Sequence, residues 1–262
     1  MTKRYKKNKT IKTIVLAFTI IILIALLIFS GTKIIQWIIN NNENDQIQER
    51  LSNYAKENTE ENDKQNNEEN NGNNKYNIDF ESLKKINEDT CAWLKVNNTN
   101  IEYVVVKANN NEYYINHNFE KKENVAGWIF ADYRNKFNSE DRNIIIYGHN
   151  MKNKSMFGSL SDTLKKDWCK QEENKFITLV TPEGSKKYEV FSIYEERASD
   201  YPITTEFSSD SEYITFLKTI KSKSIYNFNV DISDTKGILT LSTCGNNNVN
   251  RVTLHAKLLE EH

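Results

Sequence analysis

Residues 237–259 read GILTLSTCGNNNVNRVTLHAKLL, and the fold turns on this stretch. Ile238 to Thr243 is a run of branched and hydroxyl-bearing side chains suited to a strand that ends at Cys244. Gly245-Asn246-Asn247-Asn248 is polar and turn-prone. From Arg251 the sequence alternates, with Arg251, Thr253, His255 and Lys257 on one face and Val252, Leu254, Ala256 and Leu258 on the other. If the two strands are antiparallel neighbours, Arg251 returns beside Cys244. His255 then lies four residues farther along, ~13 Å at ~3.3 Å per residue.

Upstream, strand-like runs cover Ile101 to Val106, Gly127 to Phe130, Asn143 to Tyr147, Phe176 to Thr181 and Lys187 to Glu195. The turn signal Thr181-Pro182-Glu183-Gly184 makes Phe176 to Glu195 a hairpin. With the two strands around Cys244 these are seven short strands, the pattern of a sandwich or barrel, so the fold is mainly β (α+β). Asp79 is an N-cap for a short helix carrying Phe80, Leu83 and Ile86. Between Glu195 and Gly237, Tyr213, Phe216, Leu217 and Ile220 form one helical face. A connection this long commonly builds a wall or lid of a groove.

The N-terminal third is not globular. Residues 1–12 carry six basic side chains and no acidic one, and Thr13 to Thr32 is an uncharged apolar run. At ~1.5 Å per residue that run spans the roughly 30 Å hydrocarbon layer. The basic flank predicts a cytoplasmic N-terminus, with everything after Lys33 outside. A secretory signal is the rival, but its apolar region is ~7–15 residues and ends in a small-x-small site. Ile28-Phe29-Ser30-Gly31 does not supply one cleanly, so an uncleaved single-pass anchor over 13–32 is expected. Residues 33–75 are read as a membrane-proximal segment and disordered linker, with a short helix possible at Ile47 to Tyr54. The catalytic domain is expected over 76–262.

A formal net charge of −1, with no basic stripe beyond the N-terminal cluster, argues against a nucleic-acid partner. Cys91, Cys169 and Cys244 are an odd number of thiols in an extracellular domain. An isolated cysteine is usually a small packed hydrophobe, the reading for Cys91 and Cys169. Cys244 differs, because a strand end followed by a polar turn is the partly accessible setting a reactive thiol needs. His149 follows the strand ending at Tyr147, after Gly148, where the chain is expected to bend. Of the other histidines, His117 lies in a loop, His255 within a strand and His262 at the terminus. Alone, a histidine at a strand end is ordinarily a surface residue, and Arg251 alone would solvate a sheet face. Together they form a candidate Cys/His/Arg constellation.

Thr240-Leu241-Ser242-Thr243-Cys244, followed by Arg251 opening the last strand, resembles the signature of sortases. Tyr147-Gly148-His149-Asn150-Met151 with Met156-Phe157 resembles their histidine motif, class B in particular. Further similarity runs from Leu83 to Asp89 with Trp93, through Tyr113-Tyr114, to Gly127 through Asn135. Two departures stand out. The Cys244–Arg251 loop is shorter than in several relatives and lacks an aromatic residue, and Ala92 replaces a common glycine.

The resemblance implies a closed β-barrel of about 7–8 strands, with an N-terminal helix and a helix inserted before the cysteine strand. It implies a cysteine transpeptidase that cuts the C-terminal sorting signal of secreted surface proteins after threonine. The acyl group then passes to a peptidoglycan precursor or cross-bridge amine. Cys244 would be the nucleophile, His149 the general acid/base and Arg251 the oxyanion and substrate cation, with Ser242 and Thr243 possible substrate contacts. No metal or cofactor enters this chemistry. A pilin-joining role is the alternative within the same chemistry. A cysteine peptidase or peptidoglycan hydrolase and an inactive tethered binding domain are the alternatives outside it.

Overall fold

The computed structural model describes residues 2–57, 76–200, 204–244 and 250–261. It resolves into two compact units, Met1–Glu43 and Asn44–His262. Residues 58–75, which the sequence reads as linker, and Gly245 to Asn248, which it reads as turn-prone, lie outside the described residues.

The first unit is helical. Helix α1 (Thr2–Ser52) carries the apolar run, and Ile14, Phe18, Leu23, Leu27 and Phe29 all stand exposed, Leu27 at 74%. A helix apolar on every side and bare of protein cover is suited to lipid rather than to a water-facing surface.

The second unit begins earlier than the expected boundary at residue 76. Ile47 and Leu51, one turn apart on the last part of α1, are buried at 2% and 1% exposure. Strand β1 (Ala55–Glu57) then pairs antiparallel with β2 (Tyr76–Ile78). One i, i+4 apolar pair docks this helical turn while leaving the average composition polar.

Helix α2 (Phe80–Ile86) follows, its Asp79 N-cap accepting from the Ser82 amide at 2.9 Å. Strands β3 (Thr90–Val96), β4 (Glu102–Val106), β5 (Phe130–Ala131) and β6 (Asn143–Gly148) come next. Beyond a short helix α3 (Lys166–Cys169) are β7 (Phe176–Thr181) and β8 (Gly184–Arg197). Helix α4 (Asp210–Ser222), β9 (Ile238–Cys244) and β10 (Asn250–Glu261) complete the described order. Eight strands close into a barrel in the order β10, β8, β7, β3, β4, β5, β6, β9, within the expected number. Two neighbouring pairs, β4 with β5 and β6 with β9, are parallel.

The β9–β10 pairing buries both faces. Leu239, Leu241 and Leu254 are fully buried on one side, yet Thr240, Ser242, Thr253 and His255 on the alternate positions are buried too. The inserted helix α4 supplies the second cover. Tyr213, Leu217 and Ile220 are buried, Phe216 is partly so, and the Phe216 ring meets the His255 ring edge-on at 6.5 Å. At its start, Ser209 caps the helix and Tyr213 Oη donates to the Arg142 carbonyl at 3.1 Å. At its end, Ser192 Oγ of β8 donates to the Ile220 carbonyl at 2.6 Å.

Candidate active site

Three strand ends meet at one rim of the barrel. Because β6 and β9 are parallel, Tyr147 pairs with Ser242 and Gly148 with Thr243, so both strands finish at the same level. β10 returns antiparallel to β9, and Arg251 is the direct Cα partner of Cys244. Neighbouring strands lie ~4.8 Å apart, so the backbones of His149, Cys244 and Arg251 stand in adjacent rows. His255 pairs with Thr240, four residues down the strand, and takes no place in that row.

Gly148 is required by packing. A Cβ there would lie 2.4 Å from Ile129 Cδ1 and 2.8 Å from the Phe157 ring, and no positive φ is found at this residue. The expected bend is therefore a close approach, which brings the start of the His149 loop against the barrel wall. That loop folds back on itself, with the amides of Met151 and Phe157 both donating to the His149 carbonyl at 3.1 and 3.0 Å. The half-buried His149 ring directs Nε2 to the Ile115 carbonyl at 2.7 Å.

Glu196 of β8 lies opposite Arg251 on the far side from Cys244. Its side chain is 12% exposed and one carboxylate oxygen is ion-paired with Lys223 just past α4. Lys223 also lies 5.4 Å above the Tyr194 ring. An acidic residue therefore stands one row beyond the arginine, although none is near Cys244 in sequence.

Below the rim, Tyr194 Oη meets His255 Nε2 at 2.9 Å, His255 Nδ1 meets Thr240 Oγ1 at 2.9 Å, and Thr240 donates to Asn143 Oδ1 at 2.7 Å. Burial, with Lys223 adding a like charge, pushes the His255 pKa down to about 3. It is a neutral structural histidine in a satisfied polar chain.

Ser242 and Thr243 are buried at 0% and 1% exposure, and among the described residues neither hydroxyl has a hydrogen-bond partner. Burial raises the thiol pKa of both Cys91 and Cys169, whose sulfurs donate to the carbonyls of Val105 and Thr163. His117 stacks on Tyr113 at 4.1 Å. Among the described residues no three His, Cys, Asp or Glu side chains are grouped to hold a metal ion.

Residues 94–259 match the family model of the sortase domain. Sortase B of Listeria monocytogenes is 33% identical over 227 residues, 86% of this chain and 87% of that protein. Sortase B of Staphylococcus aureus is 32% identical over 243 residues, 92% of this chain and 95% of that protein. The crystal structure of sortase B from B. anthracis superposes with a TM-score of 0.70 at 33% identity, covering 85% of this chain and 99% of that one.

Proposed function

Since the chain belongs to the sortase family of cysteine transpeptidases, and within it to class B, we propose the following reaction for it. The substrate is the C-terminal sorting signal of a secreted surface protein, cut after threonine, and the acceptor is an amine of a peptidoglycan precursor or cross-bridge. Cys244 is the nucleophile, His149 the general acid and base, and Arg251 the cation beside the developing oxyanion. The observation that supports this reading is the shared level at which β6 and β9 end and β10 begins.

The steps balance on those three residues. The Cys244 thiol gives its proton to His149 as its sulfur attacks the threonine carbonyl carbon, and negative charge gathers on the carbonyl oxygen, where a guanidinium stabilises it. His149 gives a proton to the leaving nitrogen, the C–N bond breaks and a thioester remains. The incoming amine then gives its proton to His149 and attacks the thioester, re-forming an amide and expelling the Cys244 sulfur, which takes that proton back from His149 as the thiol. One amide replaces another, so no external energy source is required.

We assign the basic residues before the apolar run to the cytoplasmic side, which puts the catalytic unit outside. There, newly secreted substrates and lipid-borne acceptors share the two-dimensional surface to which the enzyme is tethered, raising their effective concentration. The test is peptide-to-amine transfer by the full-length chain in detergent, with Cys244→Ala as comparison. Wild type is expected to yield the joined product and Cys244→Ala none while retaining its fold. Turnover surviving in the variant would overturn the mechanism.

A further inference from the structure

His149 has no carboxylate hydrogen-bonded to it among the described residues. Its ring contacts the backbone of a segment 34 residues earlier, Nε2 lying 2.7 Å from the Ile115 carbonyl oxygen. A carbonyl can only accept, so Nε2 carries a proton and Nδ1 is left as the exchanging nitrogen. The Ile115 carbonyl is held by an unusual close approach of backbones. Gly127 sits at φ +56°, and a Cβ on it would lie 2.4 Å from the Tyr114 oxygen and 2.6 Å from the Ile115 oxygen. Only glycine fits there. Trp128 N donates to the Tyr114 carbonyl at 3.0 Å, fixing the two segments in register.

Gly127 is fixed from behind by a buried amide pair. Asn44, on the last turns of α1, donates from Nδ2 to the Gly127 carbonyl at 3.0 Å. It also accepts from Asn124 Nδ2 at 3.0 Å. Both asparagines are at most 2% exposed. Asn124 in turn accepts from the Gly127 amide at 2.9 Å through its carbonyl and donates from its own amide to the Asn116 carbonyl at 2.8 Å. Hydrogen bonds and backbone therefore run without a break from Asn44 to His149.

We propose that the Ile115 carbonyl is the orienting partner of His149, with Gly127, Asn124 and Asn44 as positioning residues that hold it. This rests on the assignment of His149 as general acid and base. In the first half-reaction the imidazolium gives its Nδ1 proton to the leaving nitrogen while Nε2–H stays on the carbonyl. In the second, Nδ1 recovers a proton from the incoming amine. The carbonyl oxygen stabilises the imidazolium and keeps the ring in one tautomer throughout. The end of α1 thereby belongs to the support of the active site.

The test uses the full-length chain in detergent micelles with ¹⁵N-labelled histidine, the His149 ring being identified by its loss in His149→Gln. Wild type is expected to show the Nε2–H tautomer at neutral pH. Gly127→Ala is expected to give a tautomer mixture and a kcat lower by about 10²-fold, with KM little changed. Asn44→Ala removes only the support from behind, keeps the variant testable if Gly127→Ala does not fold, and is expected to cost about tenfold in kcat. An Nδ1–H tautomer in wild type, or Asn44→Ala with both tautomer and kcat unaltered, overturns the proposal. If His149→Gln keeps turnover, the assignment of His149 itself has failed. If it abolishes turnover while Asn44→Ala changes nothing, the positioning alone has failed.

Discussion

Arg251 shares a rung with Cys244 on one side and with Glu196 on the other, so its guanidinium leaves a backbone position held from both flanks. Replacing it with alanine is expected to lower kcat for transfer by ~10²–10³-fold, the cost of losing one oxyanion donor. Arg251→Lys is expected to restore little, because an ammonium lacks the planar fork that reaches two oxygens together. Steady-state kinetics on folded variants checks both, and an unaltered kcat in Arg251→Ala would remove this residue from the chemistry. Cys244 and Arg251 were legible in the sequence because one short loop joins their strands, so spacing along the chain implied proximity in space. Glu196 was not, since only the β8–β10 register brings it within one strand of Arg251. The Ile115 contact was still less legible, for a backbone carbonyl has no side-chain signature, and Gly127 read only as the start of a strand.

At the scale of elements, β3 went unread while β9 and β10 did not. Six of the seven β3 positions bear Thr, Cys, Ala, Trp, Leu or Val and the strand is covered on both faces, which erases the period-two alternation that marks a half-exposed strand. Strand β5 shrinks to two residues, because Gly127 and Trp128 are spent on the approach to Tyr114. The helical face of α4 was legible at Tyr213, Phe216, Leu217 and Ile220, but its cargo was not. That helix roofs the Tyr194–His255–Thr240–Asn143 chain, which has a pH signature. His255 titrates near 3 when folded and at about 6.5 when unfolded. Between those values the unfolded chain binds one more proton, so folding stability is full above about 6.5 and falls as pH drops. The slope from this group is about 1.4 kcal/mol per pH unit. Urea unfolding between pH 7 and 4 is expected to show that slope reduced in His255→Gln relative to wild type. Equal slopes would mean that the histidine is not held neutral.

At the scale of the molecule, the catalytic unit reaches back to Asn44, past the polar linker and into the helix that carries the apolar run. The apolar run and its basic flank were plain from the sequence, since twenty uncharged residues leave few other readings. The extra strand pair and docked turn were hidden by the Asn- and Glu-rich composition around Ile47 and Leu51. Burying those two side chains is worth roughly 3 kcal/mol or more. A chain beginning at Tyr76 is therefore expected to unfold at lower urea than one beginning at Asn44. Identical midpoints would show that the α1 turn adds nothing to the barrel.

The most direct test of the proposed reaction is intact-mass spectrometry of the full-length chain in detergent, mixed with sorting-signal peptides and then with glycine-type or diaminopimelate-type amines. A thioacyl adduct on Cys244, ending at the peptide's threonine and discharged onto the amine, is the predicted result. An adduct discharged only to water, or one that persists in Cys244→Ala, would contradict it.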